Sequence, residues 1–482
     1  MENSSVWQVF SKLSHIERKH LGLWLQSPLF NKREQPLHLY TYFQECAVKR
    51  QSPNQDIAFK KVFADKSMAM GQKKKSGPGE DEKSNQQSLR LVMSELLGQT
   101  EHFLAYKECF DSDTNYHIRV AAAYRKRGLE KPFFQNINAA KNAWERQPYR
   151  HTEYHDALAG IEYEQYQLLS NGQRTIPLNL QRVSDQTDMA YLARKLREAC
   201  FALTHQAVFK TTYQLGLLDA VTDHLSRNPE LLELPAISLY YYCYHFLKDP
   251  ENENYFQQFK NALLTQMQQL PLDEQRNLHL LALNYCIKKI NQRNTIYIRE
   301  TFELYQSALI GDLLLENGLL SHFAFNNIVA AAIMAGETDW AEEFIHQNIS
   351  LLEKKHQEAT SCLNLARVAY VRRDLGKALL YLQQADYKDL INNLIAKTLQ
   401  MKIYYETSEL DVLDAHLENM RSFIRRQRIF GYHKTIFLNI VHYARKLARL
   451  NRNSKADREA LRHRIENEPD LGERDWFLEQ VR

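Results

Sequence analysis

The chain has 482 residues, 44% of them hydrophobic and 25% charged, with 15 Gly, 12 Pro, six Cys and a formal net charge of +4. Its length is roughly three times the ~150-residue prior for one domain, so several domains or one extended repeat array is expected, and the scarcity of Gly and Pro beside many straight-chain residues favours helix over sheet. No run approaches the ~18 apolar residues that cross a bilayer, the start lacks the basic stretch and apolar run of a signal peptide, and the cysteines (46, 109, 200, 243, 286 and 362) include no CxxC pair, which argues against a membrane span, secretion, a zinc ribbon or a dithiol centre, and for a cytoplasmic protein with mostly reduced core thiols.

In chain order, Val6, Val9, Phe10 and Leu13 have helical spacing, and a second helix opens at Ser14, where Glu17 completes a capping box. It runs through Leu21 and Leu25 and stops before Ser27-Pro28, because the residue before proline is pushed out of the helical region. Leu37 to Val48 carries Leu37, Tyr40 and Phe43 on one side, and Asp56 is placed to cap a short turn holding Phe59, Val62 and Phe63. These make an N-terminal helical region over 1–64. Residues 65–87, with Gly71, Gly77, Pro78 and Gly79 and almost nothing to bury, read as a flexible polar linker; Lys73 to Lys75 followed by Glu80 to Glu82 reads as a loop with self-compensating charge ahead of a nucleic-acid contact. A helical region over 88–170 starts with Leu89, Val92, Leu96, Phe103 and Phe110, and a loop over 171–188 contains Asn171-Gly172 and Pro177. Apolar and aromatic stripes follow over Tyr191 to Phe209, Tyr213 to Leu225, Ile237 to Leu247 and Tyr255 to Met267, punctuated by Asn228-Pro229, Asp249-Pro250 and Leu270-Pro271.

Further on, the sequence repeats at 35 residues. With Trp340, Leu375 and Leu410 aligned, Ala331 meets Ala366 and Met401, Met334 meets Ala369 and Tyr404, and Ile345 meets Leu380 and Ala415. The clearest unit is LNLARVAYVRRDLGKALLYLQQAD, with Leu365, Ala366, Ala369, Leu375, Ala378, Leu382 and Ala385 as its buried set. Small residues stand where two helices cross closely and larger ones fill the gap to the next pair.

This pattern resembles the tetratricopeptide repeat over roughly residues 320 to 430, with Ala366, Ala378 and Ala385 at the family's small-residue positions. It departs from the family in having Asn327, Cys362 and Lys397 at the early tryptophan position, no glycine at the close contact, no proline ending a unit, and Glu343 where alanine is usual. Helix-pair spacing extends the array over 189–482. The resemblance implies an all-α fold: an α-solenoid of tetratricopeptide-like helix pairs preceded by an N-terminal helical region. Through SPLFN (Ser27 to Asn31), NYCIKKIN (Asn284 to Asn291) and YYETSELDVLDAHLENM (Tyr404 to Met420), the whole chain also resembles a group of bacterial helical-repeat proteins without an assigned activity.

Reactive chemistry is not evident. Neither GxxxxGK[ST] nor GxGxxG occurs, Gly77-Pro78-Gly79 opens onto acids that repel phosphate, and no GxSxG elbow is found. His151 and His155 share a helix spacing, but HTEYH lacks the glutamate directly after the first histidine that a zinc protease uses, and reads as two surface histidines near a helix start. Lys288 and Lys289 follow Cys286, yet the spacing of Leu278, Leu281, Ala282 and Tyr285 puts that thiol in the packed stripe. Glu342 and Glu343 form a local acidic pair, while Glu409 and Asp411 serve a helix start capped by Ser408.

Charge is uneven. Of the 62 Lys and Arg, ten fall between Arg421 and Lys455, a stretch with no Asp or Glu, leaving 52 against 58 acids elsewhere. Three readings stand for it: a solvated helix face, since Arg421, Arg425 and Arg428 follow helical spacing while Phe423, Ile424 and Ile429 point elsewhere; a docking surface for an acidic protein or peptide; or nucleic-acid binding, with Phe430 and Tyr432 stacking bases. Its candidate contact residues are Arg421, Arg425, Arg426, Arg428, Tyr432, Lys434, Arg445 and Lys446. The expectation is a non-catalytic scaffold that holds a protein or peptide in a solenoid groove, with nucleic-acid binding through 421–455 as the alternative, no cofactor, no metal and no membrane association.

Overall fold

The computed structural model describes residues 1–63, 80–110, 112–171, 177–209, 211–426 and 432–482. Among these the chain is all-α: 23 α-helices, a few 3-10 turns and one two-stranded hairpin. In order they are α1 (Ser5–Lys12), α2 (His15–Gln26), α3 (Glu34–Lys49), α4 (Gln55–Val62), α5 (Glu80–Phe110), α6 (Asp113–Arg125), α7 (Glu130–Glu145), α8 (Thr152–Leu169), α9 (Leu180–Phe209), α10 (Leu218–Arg227), α11 (Pro235–Lys248), α12 (Glu253–Gln266), α13 (Leu272–Asn291), α14 (Ile296–Ile310), β1 (Leu315–Glu316), β2 (Leu319–Leu320), α15 (His322–Met334), α16 (Thr338–Asn348), α17 (Lys354–Val371), α18 (Leu375–Gln384), α19 (Leu390–Glu406), α20 (Leu410–Arg426), α21 (Tyr432–Ala448), α22 (Lys455–Asn467) and α23 (Arg474–Gln480). No described helix is long and apolar enough to cross a membrane. The chain divides into two compact units, residues 1–194 and 195–482.

In the first unit, α2 opens with the capping box foreseen at Ser14: the Glu17 amide donates to Ser14 Oγ (3.2 Å) and the Ser14 amide to Glu17 Oε2 (2.7 Å). A hydrogen bond from Lys107 (2.8 Å), then those of the cap, holds the Glu17 carboxyl down at about 2. SPLFN is a structural turn in which Phe30 stacks on Trp24 at 3.7 Å and buried Asn31 donates to the Leu25 carbonyl at 2.8 Å. Helix α4 is capped two residues earlier than expected, by Asn54, whose Oδ1 takes the amides of Asp56 and Ile57; Asp56 is left in the first turn, where its charge suits the helix dipole.

Two boundaries move. Helix α5 begins at Glu80 and α9 at Leu180, inside the stretches read as linker and loop, because beyond Gly79 and Pro177 nothing breaks a helix and the Asn179 carbonyl already accepts from the Val183 amide. The rest of the linker, Lys73 to Lys75 included, lies outside the described residues. Moreover, α5 packs on α1 to α4, so Leu89, Val92, Leu96 and Phe103 share one core with Phe10, Leu21, Leu39 and Phe43. Helices α6 to α8 close a second, smaller core around Ala121, Phe133, Ile137 and Ile161.

The second unit is a series of helical hairpins. After α13, α15, α17 and α19 the chain reverses through the same turn, whose second residue is left-handed: Arg293, Gly336, Arg373 and Ser408, with φ of 69°, 82°, 66° and 61°. The next amide reaches back five residues, Asn294 to the Lys289 carbonyl, Glu337 to Ala332, Asp374 to Ala369 and Glu409 to Tyr404, at 2.9–3.0 Å. This is the Schellman bond, which supplies a donor to a carbonyl the ending helix leaves without one. Ser408 thus ends α19; the position before α20 belongs to Glu409, whose carbonyl accepts from Leu413.

Measured between left-handed residues, successive repeats span 37 residues (336 to 373) and 35 (373 to 408). The uniform 35-residue alignment is therefore out of step by two in its first unit. Five residues after each left-handed position stand Ala341, Ala378 and Leu413, all buried, while Glu343 is exposed. The small residue sought at 343 is Ala341. In this register Trp340 is equivalent to Lys377 and not to Leu375, and its ring packs on those of Phe344 (5.3 Å, stacked) and Phe302 (4.9 Å, edge-on). Within the clearest unit Ala366, Ala369, Ala378 and Leu382 are buried as read, Leu365, Leu375 and Ala385 are half-buried, and Leu363 completes the core.

Each of α15, α17 and α19 packs on its hairpin partner, and α15 on α17, α17 on α19 and α19 on α21. Helices α19 to α23 enclose the last core, with Met401, Leu417, Met420, Ile440 and Phe477. A fully buried side chain of this size contributes about 1.5–3 kcal/mol.

Left-handed backbone costs a residue with Cβ roughly 1–2 kcal/mol, and glycine far less. Gly336→Ala, whose Cβ meets no atom within 4 Å, is expected to destabilise the protein by about 1 kcal/mol through backbone strain alone, and Ser408→Gly to stabilise it by about 0.5–1 kcal/mol. Urea unfolding midpoints check both signs.

Candidate functional site

The first helices of these hairpins present a recurring stripe to one side. On α15 it is Asn327, Ala330, Ala331 and Met334; on α17, Arg367, Tyr370 and Val371; on α19, Ile395, Thr398, Leu399 and Lys402, all at the spacing of one helix face. A cavity of about 190 Å³ lies between this stripe and Ile287, Ile290 and Asn291 of α13 with Ile298, Thr301 and Tyr305 of α14. A second, of about 350 Å³, runs over α15, α17 and α19 to Glu473. Both are bounded by Ala330 and Met334, so they form one groove whose floor is kept low by alanines and whose rim leaves Met334 50% and Val371 45% exposed.

Beneath the groove runs a chain of buried amides. Asn364 Nδ2 donates to Asn326 Oδ1 (2.6 Å) and to the Thr360 carbonyl (2.8 Å), and Asn326 Nδ2 donates to Asn392 Oδ1 (2.9 Å). The three asparagines are 0–6% exposed. Half-buried Arg367 rests on them, its Nη1 donating to Asn364 Oδ1 (3.1 Å) and to the Asn326 carbonyl (3.4 Å). Burial lowers its affinity for the proton, against the pull of Glu473.

The acids at this end are already engaged. Glu473 pairs with Lys402. Glu406 accepts from Tyr370, from Trp476 Nε1 (2.7 Å) and from Arg373 (2.7 Å). The Lys402 ammonium also lies over the rings of Tyr370 (5.6 Å) and Trp476 (5.8 Å). Burial, then the bond to Glu406, pushes the Tyr370 hydroxyl far above its ordinary range, so it serves as a donor.

The basic segment lies elsewhere. Arg421 is half-buried on α20; Arg425 and Arg426 are exposed at its end, where Arg426 Nε donates to the Ser422 carbonyl at 3.3 Å. Arg428 and Phe430 lie outside the described residues, as does the side chain of Tyr432. Half-buried Lys434 stands near the start of α21; Arg445 pairs with Glu418 of α20, and Lys446 lies over the Tyr443 ring at 5.4 Å. Arg452 donates to Tyr405 Oη at 2.8 Å. None of the six candidates whose side chains are described lines the groove. Ile424 is fully buried and Phe423 half-buried, and Ile429 lies outside the described residues.

Other singled-out residues have structural employment. Cys286 is fully buried, which pushes its thiol up to about 12. Neighbouring Lys289 is buried too and bridges Glu251 (3.5 Å) and Glu253 (3.7 Å). Five of the six cysteines are buried and Cys109 is exposed. Glu342 pairs with Arg372. No cluster of three His, Cys, Asp or Glu able to hold a metal occurs among the described residues. The surface reading of the two histidines is corrected: His151 is half-buried, and His155 is 3% exposed with neither ring nitrogen hydrogen-bonded, because Thr152 and His155 share the face of α8 that packs on α6 and α7.

The groove residues Arg367 and Lys402 and the buried amides Asn326, Asn364 and Asn392 were not singled out in the sequence. The available signal was an amide in an otherwise apolar run, Asn326 within FAFNNIVAAAIM. No protein-family model, curated protein or solved structure matches the chain.

Removing Asn364 strands Asn326 Oδ1 and takes an acceptor from Arg367; Asn364→Ala is expected to cost about 2–4 kcal/mol in urea unfolding. Burial brings the His155 pKa down to about 4 from an ordinary 6.5. A folded-state pKa below the unfolded one means stability is full above pH 6.5 and is lost as pH falls towards 4, by up to about 1.4 kcal/mol per unit. Unfolding of His155→Leu at pH 7.5 and 5 is expected to show no loss at the higher pH and a smaller acid-linked loss than the parent protein.

Proposed function

We propose that the second unit is a tetratricopeptide-like solenoid and that the protein is a non-catalytic scaffold, holding a peptide or a segment of a partner protein in the groove over α13, α15, α17 and α19. The observation that carries this reading is the continuous groove itself, with large apolar side chains exposed along it and the Arg367 side chain in its wall. The recurring hairpin turn and the side-by-side first helices support the solenoid, since such arrays present one extended surface. Nucleic-acid binding through 421–455 is favoured less: Arg445, Lys446 and Arg452 already engage Glu418, Tyr443 and Tyr405, so they do not form a free row of cations for a phosphate backbone.

A photo-crosslinking amino acid placed at Val371, in the groove, is expected to form adducts with a partner polypeptide in cells, while the same group at exposed Leu380 on α18 does not. Equal labelling at both positions, or none at Val371, would sink the groove as the binding face. Retention on DNA at ~50 mM salt that is lost in Arg425→Glu/Arg426→Glu would instead establish the nucleic-acid reading.

A further inference from the structure

Among the described residues the groove carries one cation that no carboxylate bonds, the charge of Glu473 acting on it only through space. Arg367 is half-buried, yet both acceptors it meets are neutral, Asn364 Oδ1 and the Asn326 carbonyl, and among the described residues it pairs with no carboxylate. The neighbouring acids are spent, Glu473 on Lys402 and Glu406 on Arg373, Tyr370 and Trp476. A guanidinium partly withdrawn from water with no carboxylate in contact is costly to keep, and two amide oxygens anchor it without neutralising it. What it lacks is a carboxylate, which its planar fork matches and holds by charge-assisted hydrogen bonds.

The surroundings narrow the ligand further. Met334, Val371, Ile395 and Leu399 line the same cavity, and Lys402, the other cation there, is neutralised by Glu473. A phosphodiester chain requires a row of free cations and gains nothing from such walls. A polypeptide that alternates an acid with aliphatic side chains meets both features.

We propose that the groove selects a partner segment in which an aspartate or glutamate is flanked by aliphatic residues, and that Arg367 receives the acidic side chain. Arg367 is in this sense the specificity residue of the groove, while Met334 and Val371 supply apolar contact. The assignment rests on the groove being the binding face, and the two fail separately.

The probe is a random-sequence peptide library displayed on phage, selected on the full-length protein, followed by binding measurements with the selected peptides in synthetic form. Selected sequences are expected to be rich in Asp or Glu beside Leu, Ile or Met, and to bind equally well when their C-terminus is amidated. Arg367→Met is expected to weaken them by roughly 10- to 100-fold, Arg367→Lys by less, and Glu→Gln in the peptide to add little once Arg367 is gone. Unfolding midpoints of both variants confirm that they fold, and Arg367→Lys keeps the charge should Arg367→Met unfold. If no peptide is selected, or if Met334→Lys leaves binding intact, the groove reading falls. If Met334→Lys abolishes binding but the sequences show no acidic preference, lose affinity on amidation, or bind Arg367→Met as tightly as the parent, the carboxylate assignment falls alone.

Discussion

A helix that ends inside a packed protein must find donors for its last carbonyls, and here the same answer is used again and again. One residue turns left-handed and the amide beyond it bonds back five residues, at Asn294, Glu337, Asp374 and Glu409. The bond does two jobs at once. It satisfies the helix end, and it fixes the angle at which the chain returns, so that each second helix lies back on its first. The same device joins α6 to α7 in the first unit, where Gly128 is left-handed and the Leu129 amide reaches the Tyr124 carbonyl at 3.0 Å.

With the return angle fixed, the first helices are free to lie against one another. Alanines allow this on the buried side, at 332, 366 and 369, and alanines at 330 and 331 keep the other side shallow. A groove follows from that spacing and not from any loop. Neutral amide oxygens hold the Arg367 guanidinium in the groove wall without cancelling its charge. Bonds to α15 and to its own helix α17 hold that group in place.

The sequence reading reached the helical class because apolar residues recur at helical spacing and punctuators are rare. It found the Ser14 capping box, the stop before Pro28 and the burial of Cys286, all of which depend on a few neighbouring residues. It mistook the register of the first repeat because it matched bulky residues, whereas the register is set by the left-handed turn, and that position is filled by Arg, Gly, Arg and Ser in turn. Three of those four carry no glycine signal. The Asn317-Gly318 hairpin, left-handed at both residues, carried a stronger local signal and passed unread within a helical context. The groove was illegible for another reason: Asn326, Asn364, Arg367 and Lys402 become a site only when helices far apart in the chain are brought side by side. The basic stretch drew attention because charge is visible in a linear string, and an amide bonded to another helix is not.

The amide chain has a bearing on how the array comes apart. In a stack where each hairpin touches only the next, fraying proceeds unit by unit from an end. Asn326, however, donates past α17 to Asn392 of α19, while accepting from Asn364 of α17 itself. Lifting away any one of the three hairpins breaks a hydrogen bond made by another, which couples their melting. The groove over α15, α17 and α19 is consequently present whole or lost whole.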